Sequence, residues 1–176
     1  LIAAALERPA QRILDLGAGT GCIALTLLAE WPDATAVLSD ISPAALAVAR
    51  ANAEALGVDA RATFLISDWF AAVEGAFDLI LSNPPYISAS EMAELSPDVR
   101  DWEPHLALTP GGDGLSAYRR IAEGLRGHIA SNGRALLEIG ANQAADVSDI
   151  VRETEPQHLT VLTDLGGRDR AIALQY

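Results

Sequence analysis

Short runs rich in Ile, Leu and Val alternate along this chain with longer stretches in which apolar residues recur at helical spacing. That alternation is the strongest constraint on the fold. Parallel strands need a crossover between them, and a helix is the usual one, so the pattern implies βαβ units and a mostly parallel sheet. The strands expected are Arg12 to Leu16, Thr35 to Ser39, Ala62 to Ile66, Phe77 to Ser82, Arg134 to Ile139, Leu159 to Thr163 and Ala171 to Gln175. The helices expected are Cys22 to Glu30, Pro43 to Leu56, Ser116 to Ala130 and Asn142 to Glu155. Ser42 before Pro43 reads as an N-cap with proline at the first helical position, and Gly57 as the stop of the same helix.

The length of 176 residues and a hydrophobic content of 50% suit one continuous core, so residues 1–176 are read as a single domain of the α/β class. Only 5% of residues are aromatic, which leaves Ala, Leu, Ile and Val to build that core, as in strands covered on both faces. Twelve basic against 24 acidic residues give a formal charge of -12, a field that repels a phosphate backbone and argues against direct nucleic-acid binding. The basic residues are all arginine and are scattered, so they suggest no function. One cysteine, Cys22, excludes an internal disulfide and fits a reducing cytoplasm. It sits at a helix start, where burial against the sheet is expected. No apolar run reaches the roughly 20 residues of a spanning helix, so no membrane role is expected. The chain begins without methionine in what reads as the last turns of a helix, and an upstream part is expected to be missing.

The glycine turn Asp15-Leu16-Gly17-Ala18-Gly19-Thr20-Gly21 falls between the first strand and first helix, at the carboxyl-end crevice where open α/β sheets bind ligands. Gly17 and Gly19 let backbone approach a ligand without a Cβ in the way. The spacing is not that of a dinucleotide fingerprint, and Asp15 would oppose a pyrophosphate, so a ligand bearing an ammonium fits better. A tight connection without any ligand is the bland alternative. Asp40 ends the second strand about twenty residues on, where an acid accepts from both hydroxyls of a ribose; capping of the next helix is its plainer role. Asp68 and Trp69 follow the third strand, and could take the exocyclic amine and the ring of an adenine. Acids at three successive loops suit a cationic nucleoside without phosphate, which is S-adenosylmethionine.

After the fourth strand stands Asn83-Pro84-Pro85-Tyr86. Its two prolines stiffen the loop and remove backbone donors. If Asn83 Oδ1 and the Pro84 carbonyl each accept one N–H of a planar NH2, they orient it toward a methyl donor and stabilise the charge growing on nitrogen. Tyr86 can pack over the flat acceptor. Asn-Pro also forms rigid turns with no chemistry attached.

Together these segments resemble the HemK/PrmC family of protein glutamine-N5 methyltransferases, from about Ile13 to the C-terminus. Asp15 to Gly21, Asp40, Ser67-Asp68-Trp69-Phe70 and Asn83 to Tyr86 match its motifs in order. So do Trp102-Glu103-Pro104, Gly112-Asp113-Gly114-Leu115, Leu137-Glu138-Ile139-Gly140 with Gln143, and Gly167-Arg168-Asp169-Arg170. The resemblance implies a three-layer Rossmann-like class I S-adenosylmethionine-dependent methyltransferase with a seven-stranded, mostly parallel sheet in the order 3-2-1-4-5-7-6, the last strand antiparallel. It implies cofactor contacts from Asp15, Leu16, Gly17, Ala18, Gly19, Asp40, Asp68, Trp69 and Asn83. Asn83, Pro84, Pro85 and Tyr86 would hold the substrate, with Asn83, Pro84 and Tyr86 in the catalytic role. The substrate implied is the glutamine of the Gly-Gly-Gln motif in peptide chain release factors. The family's N-terminal helical docking domain is expected to be missing from residues 1–176, and Trp102 stands where members carry Phe or Tyr.

Three other readings remain open at this point. A glutamine of a ribosomal protein could be the acceptor, or an amino nitrogen of nucleic acid such as adenine N6 or guanine N2, or the chain could be a scaffold without catalysis. The long irregular stretch from Pro84 to Gly114 reads as a functional loop. Within it, Glu103 and Asp113 are expected to hold the loop's shape rather than border the acceptor. His105, His128 and His158 have no metal-ligand spacing and read as surface or packing residues.

Overall fold

A computed structural model of the chain describes residues 1–95 and 104–176. The first element is a short helix, α1 (Ile2–Leu6). The strands are β1 (Arg12–Leu16), β2 (Thr35–Asp40), β3 (Ala62–Ile66), β4 (Phe77–Ser82), β5 (Ile129–Glu138), β6 (His158–Thr163) and β7 (Asp169–Gln175). Between them lie α2 (Cys22–Glu30), α3 (Pro43–Leu56), α4 (His105–Leu108), α5 (Ser116–His128) and α6 (Ala144–Arg152). The strands form one sheet in the order β3-β2-β1-β4-β5-β7-β6. β1 to β5 run parallel, and β7 is antiparallel to both its neighbours. Both the order and the antiparallel last strand agree with the expectation from resemblance.

Each face of the sheet is covered, which is why the strands read as continuous apolar runs. Ile13, Leu38, Leu79 and Leu81 pack against Ala24, Leu27 and Leu28 of α2 and Ala49 and Ala53 of α3. On the opposite face Leu14, Leu16, Ile80 and Leu137 meet Tyr118, Ile121 and Leu125 of α5 and Val147 and Val151 of α6. The Ser42 side chain accepts from Ala45 N as an N-cap, with Pro43 at the first turn, and Gly57 closes α3 at φ 70. Two arginines close other helices from a distance. Arg61 donates to the carbonyls of Leu28 in the last turn of α2 and of Trp31 and Ala34 just past it. Arg134 donates to those of Ala4 and Ala5 within α1 and of Arg8 just past it.

Three expectations are corrected. β5 begins five residues earlier than Arg134, because Ile129 pairs with Phe77 before Arg134 pairs with Leu79. Ala130 to Gly133 form a bulge there, with Asn132 at φ 62, so turn-forming residues sit inside a strand. α5 stops at His128 and α6 spans only Ala144–Arg152, each shorter than its apolar period suggests. Cys22 is exposed rather than buried: it shares the outward side of α2 with Thr26, whose hydroxyl donates to the Cys22 carbonyl, while Ala24, Leu25, Leu27 and Leu28 take the sheet side. Among the described residues no helix is long and apolar enough to cross a membrane.

Candidate functional site

The carboxyl ends of β1 to β4 line up, with Leu16 opposite both Ser39 and Ser82 and Asp40 opposite Ile66. The four loops that leave these ends therefore share one rim, and each carries a group the sequence singled out. Their relative positions are fixed by hydrogen bonds between loops. Ala18 N donates to Ser39 O at 3.0 Å, Gly19 N to Asp40 Oδ2 at 2.8 Å, and Ser67 N to Asp40 O at 3.0 Å. The Ser82 hydroxyl donates to Leu16 O at 2.8 Å and ties the end of β4 to that of β1.

The glycine turn needs its glycines for two reasons. Gly19 has φ 56, and a Cβ there would meet nothing within 4 Å, so the turn faces open space. Gly21, at φ 80, is pressed against the core, where a Cβ would lie 2.9 Å from both Leu25 and Leu38. Leu16 turns its side chain into the core, and only its backbone reaches the rim. Asn52 of α3 braces the turn by donating to Thr20 O at 3.0 Å.

Asp15 lies beneath this turn, 1% exposed, with its carboxylate accepting from Ala24 N at the start of α2. Burial and then the neighbouring Asp40 charge, only partly offset by that bond, push its carboxyl up to about 7. Among the described residues no cation pairs with Asp15 or Asp40. A buried acid without a counter-charge is costly to ionise, and a cation seated at the open turn above it would offset that cost. Asp40 accepts from Gly19 N through one oxygen and Ser42 N through the other, both at 2.8 Å. Each oxygen keeps a further lone pair, which is what two vicinal hydroxyls need.

Trp69 has φ 52, an unusual conformation for a bulky residue, held by the Ser67 hydroxyl donating to its carbonyl at 2.8 Å. Its ring packs against the core, and its edge comes within 3.8 Å of where a Gly17 Cβ would stand, so it flanks the glycine turn. Phe70 anchors this loop, stacking on His128 at 4.6 Å and filling the space over Gly124. His128 is thus a packing residue. Asp68 is less free than expected, because Arg120 of α5 pairs with it at 2.9 Å across an interface half open to solvent. Ile41, 60% exposed directly after Asp40, was passed over in the sequence. A large aliphatic residue directly after an acid at a strand end is the signal the sequence carries.

Asn83 is exposed, Pro84 buried, and Pro85 and Tyr86 half-buried, so the loop presents one exposed amide on a packed base. Burial raises the Tyr86 hydroxyl above its usual range, as does Glu138, while the Arg170 guanidinium facing it acts in the other direction. Downstream, Ile87 N donates to Leu108 O and Ala89 N to Gly112 O, which fastens the irregular stretch back onto its start. Asp113 accepts from Leu115 N and pairs with Arg119 at 2.7 Å, holding the loop's shape as expected. Trp102 and Glu103 lie outside the described residues. Among the described residues no group of three or more His, Cys, Asp or Glu side chains converges as a metal site. Two recesses elsewhere lie away from these four loops, one between α1 and the β5 to β7 strands and one near Arg126, Asn132 and Tyr176.

The model of the methyltransferase small domain matches residues 1–97. A release factor glutamine methyltransferase of Cereibacter sphaeroides is 60% identical over 98% of this chain and 62% of its own length. One of the same name from Rhodospirillum rubrum is 44% identical over 96% of this chain and 52% of its own length. The chain thus spans between half and two thirds of these relatives. A ribosomal protein L11 methylase from Lactobacillus delbrueckii subsp. bulgaricus superposes with a TM-score of 0.64 at 20% identity, over 99% of this chain and 72% of its own, which supports the class I fold. With the matched residues covering more than half its length, including the glycine turn and Asn83 to Tyr86, the chain belongs to the methyltransferase small domain family.

Proposed function

We propose that this chain transfers the methyl group of S-adenosylmethionine to the side-chain amide nitrogen, N5, of a protein glutamine, that of the Gly-Gly-Gln motif in a peptide chain release factor. The observation that carries the reading is the pairing of two features on adjacent strand ends: a buried acid, Asp15, below an open glycine turn and without a counter-charge among the described residues, and the Asn83 to Tyr86 loop tied to it through Ser82 and Leu16. The 60% identical relative of that name supports the choice of acceptor.

In this reading Asp15 draws the cofactor's ammonium toward the glycine turn formed by Leu16, Gly17, Ala18 and Gly19. Asp40 accepts from the ribose hydroxyls, and Trp69 lies along the adenine, whose amine Asp68 would take only by sharing it with Arg120. When bound, S-adenosylmethionine supplies an electrophilic methyl on a sulfonium. Asn83 Oδ1 and the Pro84 carbonyl accept the two N–H groups of the substrate amide, which presents its nitrogen in line and stabilises charge developing there. Pro85 and Tyr86 hold the flat amide from the side. No strong base is needed, because the two acceptors withdraw proton density before the excess proton leaves to water.

Residues 1–176 serve as one catalytic domain, acting in the cytoplasm on a protein partner, with no metal and no direct nucleic-acid contact. The -12 charge favours protein over the amino nitrogens of RNA or DNA. The test offers the chain radiolabelled cofactor with release factor, its Gln→Ala variant in the Gly-Gly-Gln motif, ribosomal RNA and DNA. Label is expected in the first alone. Equal labelling of the Gln→Ala factor, or label only in nucleic acid, ends the reading.

A further inference from the structure

Gln143 is the residue just before α6, and its side chain makes no capping bond to that helix. Instead its amide reaches across to the loop after β4. Nε2 donates to Tyr86 O at 2.8 Å, while Oε1 accepts from Gly140 N at 3.0 Å and lies 3.5 Å from the Tyr118 hydroxyl. Tyr118, on α5 and fully buried, donates to Glu138 O at the end of β5. One amide therefore joins the loop after β4, the loop after β5 and the start of α6.

Two glycines, from segments far apart in sequence, make room for it. A Cβ on Gly114 would fall 2.5 Å from Tyr86 O and 3.0 Å from Gln143 Nε2. A Cβ on Gly140 would fall 2.8 Å from Gln143 Oε1. Gly114 closes the irregular stretch and Gly140 follows β5, so both approach the same amide. The geometry also selects the side chain. Glutamate keeps the acceptor for Gly140 N but turns a second oxygen on the Tyr86 carbonyl, and methionine keeps the volume without either bond.

We infer that Gln143 is a positioning residue, whose amide fixes the Tyr86 carbonyl and through it the placement of the Asn83-Pro84-Pro85-Tyr86 loop against the rim. The inference rests on the proposed reading for its effect on turnover, though not for its effect on the loop. Prolines carry no amide hydrogens to tie Pro84 and Pro85 into the sheet, so the loop depends on an outside donor at its far end. Gln143 is that donor.

The test compares wild type with Gln143→Glu and Gln143→Met at pH 8 by three measurements: hydrogen exchange at the amides of residues 86–89, affinity for S-adenosylhomocysteine, and kcat and KM on release factor. Exchange is expected to rise about tenfold at those amides, the scale of one lost hydrogen bond, and to stay as in wild type in β1 to β3. Cofactor affinity should hold within about threefold, and kcat should fall at least tenfold, since small misplacements of a reacting group lower rates by up to about 100-fold. Unchanged exchange at residues 86–89 in both variants overturns the inference, as does kcat equal to wild type. So does a loss of cofactor affinity as large as the loss in kcat, which would indicate a general collapse. If wild type itself leaves release factor unlabelled, the proposed function fails, and the exchange measurement alone then decides the role of Gln143.

Discussion

Replacing Asp15 by Asn separates the electrostatics of the glycine turn from its shape. The amide oxygen can still accept from Ala24 N, so the local geometry survives while the charge is removed. In the folded chain the Asp15 carboxyl is raised from 3.8 to about 7, chiefly by burial. Between those values the folded state holds a proton that the unfolded state has released, so stability falls as pH rises through that window and the loss is complete above it. The interval corresponds to roughly 4 kcal/mol at 1.36 kcal/mol per pH unit. Asp15→Asn escapes this penalty. Its stability relative to wild type should therefore increase by about 3 kcal/mol from pH 5 to pH 8, measured by urea unfolding at both pH values. Taking the difference between the two proteins cancels the titrating groups that do not interact with Asp15. Binding should move the opposite way. A charge-assisted bond to the ligand ammonium is worth about 1.5–3 kcal/mol, so the variant should bind S-adenosylhomocysteine about ten- to a hundredfold more weakly at pH 8. An Asn variant no more stable than wild type at pH 8 would refute the picture of an uncompensated buried acid. Unchanged affinity would refute its pairing with the ammonium.

The other predictions concern the rim and its supports. Asn83→Ala should lower kcat at least about a hundredfold, the scale of losing one preorganised polar group, in single-turnover methyl transfer; turnover equal to wild type would remove Asn83 from the chemistry. Gly114→Ala places a Cβ 2.5 Å from Tyr86 O at φ 78, and should destabilise the fold by about 1–3 kcal/mol in urea titration; a neutral result would mean the segment shifts freely. Arg61→Met leaves three carbonyls at and just past the end of α2 without this donor and should destabilise by about 2–3 kcal/mol in the same assay. Arg120→Met breaks a half-exposed ion pair, so stability should change by no more than about 1 kcal/mol. Freed from that pair, Asp68 should leave cofactor affinity equal or tighter by calorimetry, and weaker binding would argue that Arg120 itself contacts the ligand.

The sequence by itself determined the elements and the rim. Strands such as Ala62–Ile66 and helices such as Pro43–Leu56 are local matters of period, caps and prolines, and were legible to the residue. In a parallel sheet every strand delivers its following loop to the same edge, so Asp15, Asp40, Trp69 and Asn83 could be assigned to one crevice before any coordinates. Tertiary structure decided what those groups experience. Whether Asp15 is paired or orphaned depends on which cations reach it, and the 52 positions between Asp68 and Arg120 gave no hint of their contact. The bulge in β5 was hidden because Ser131-Asn132-Gly133 has the chemistry of a turn and only pairing with Phe77 keeps it in the sheet. Gln143 stood in the sequence as part of a motif without a role, since a side chain 57 positions from its acceptor acquires one only when the pairing of β4 with β5 brings the two loops together. Periodicity is set by neighbours along the chain, whereas burial, charge compensation and long-range hydrogen bonds are set by neighbours in space.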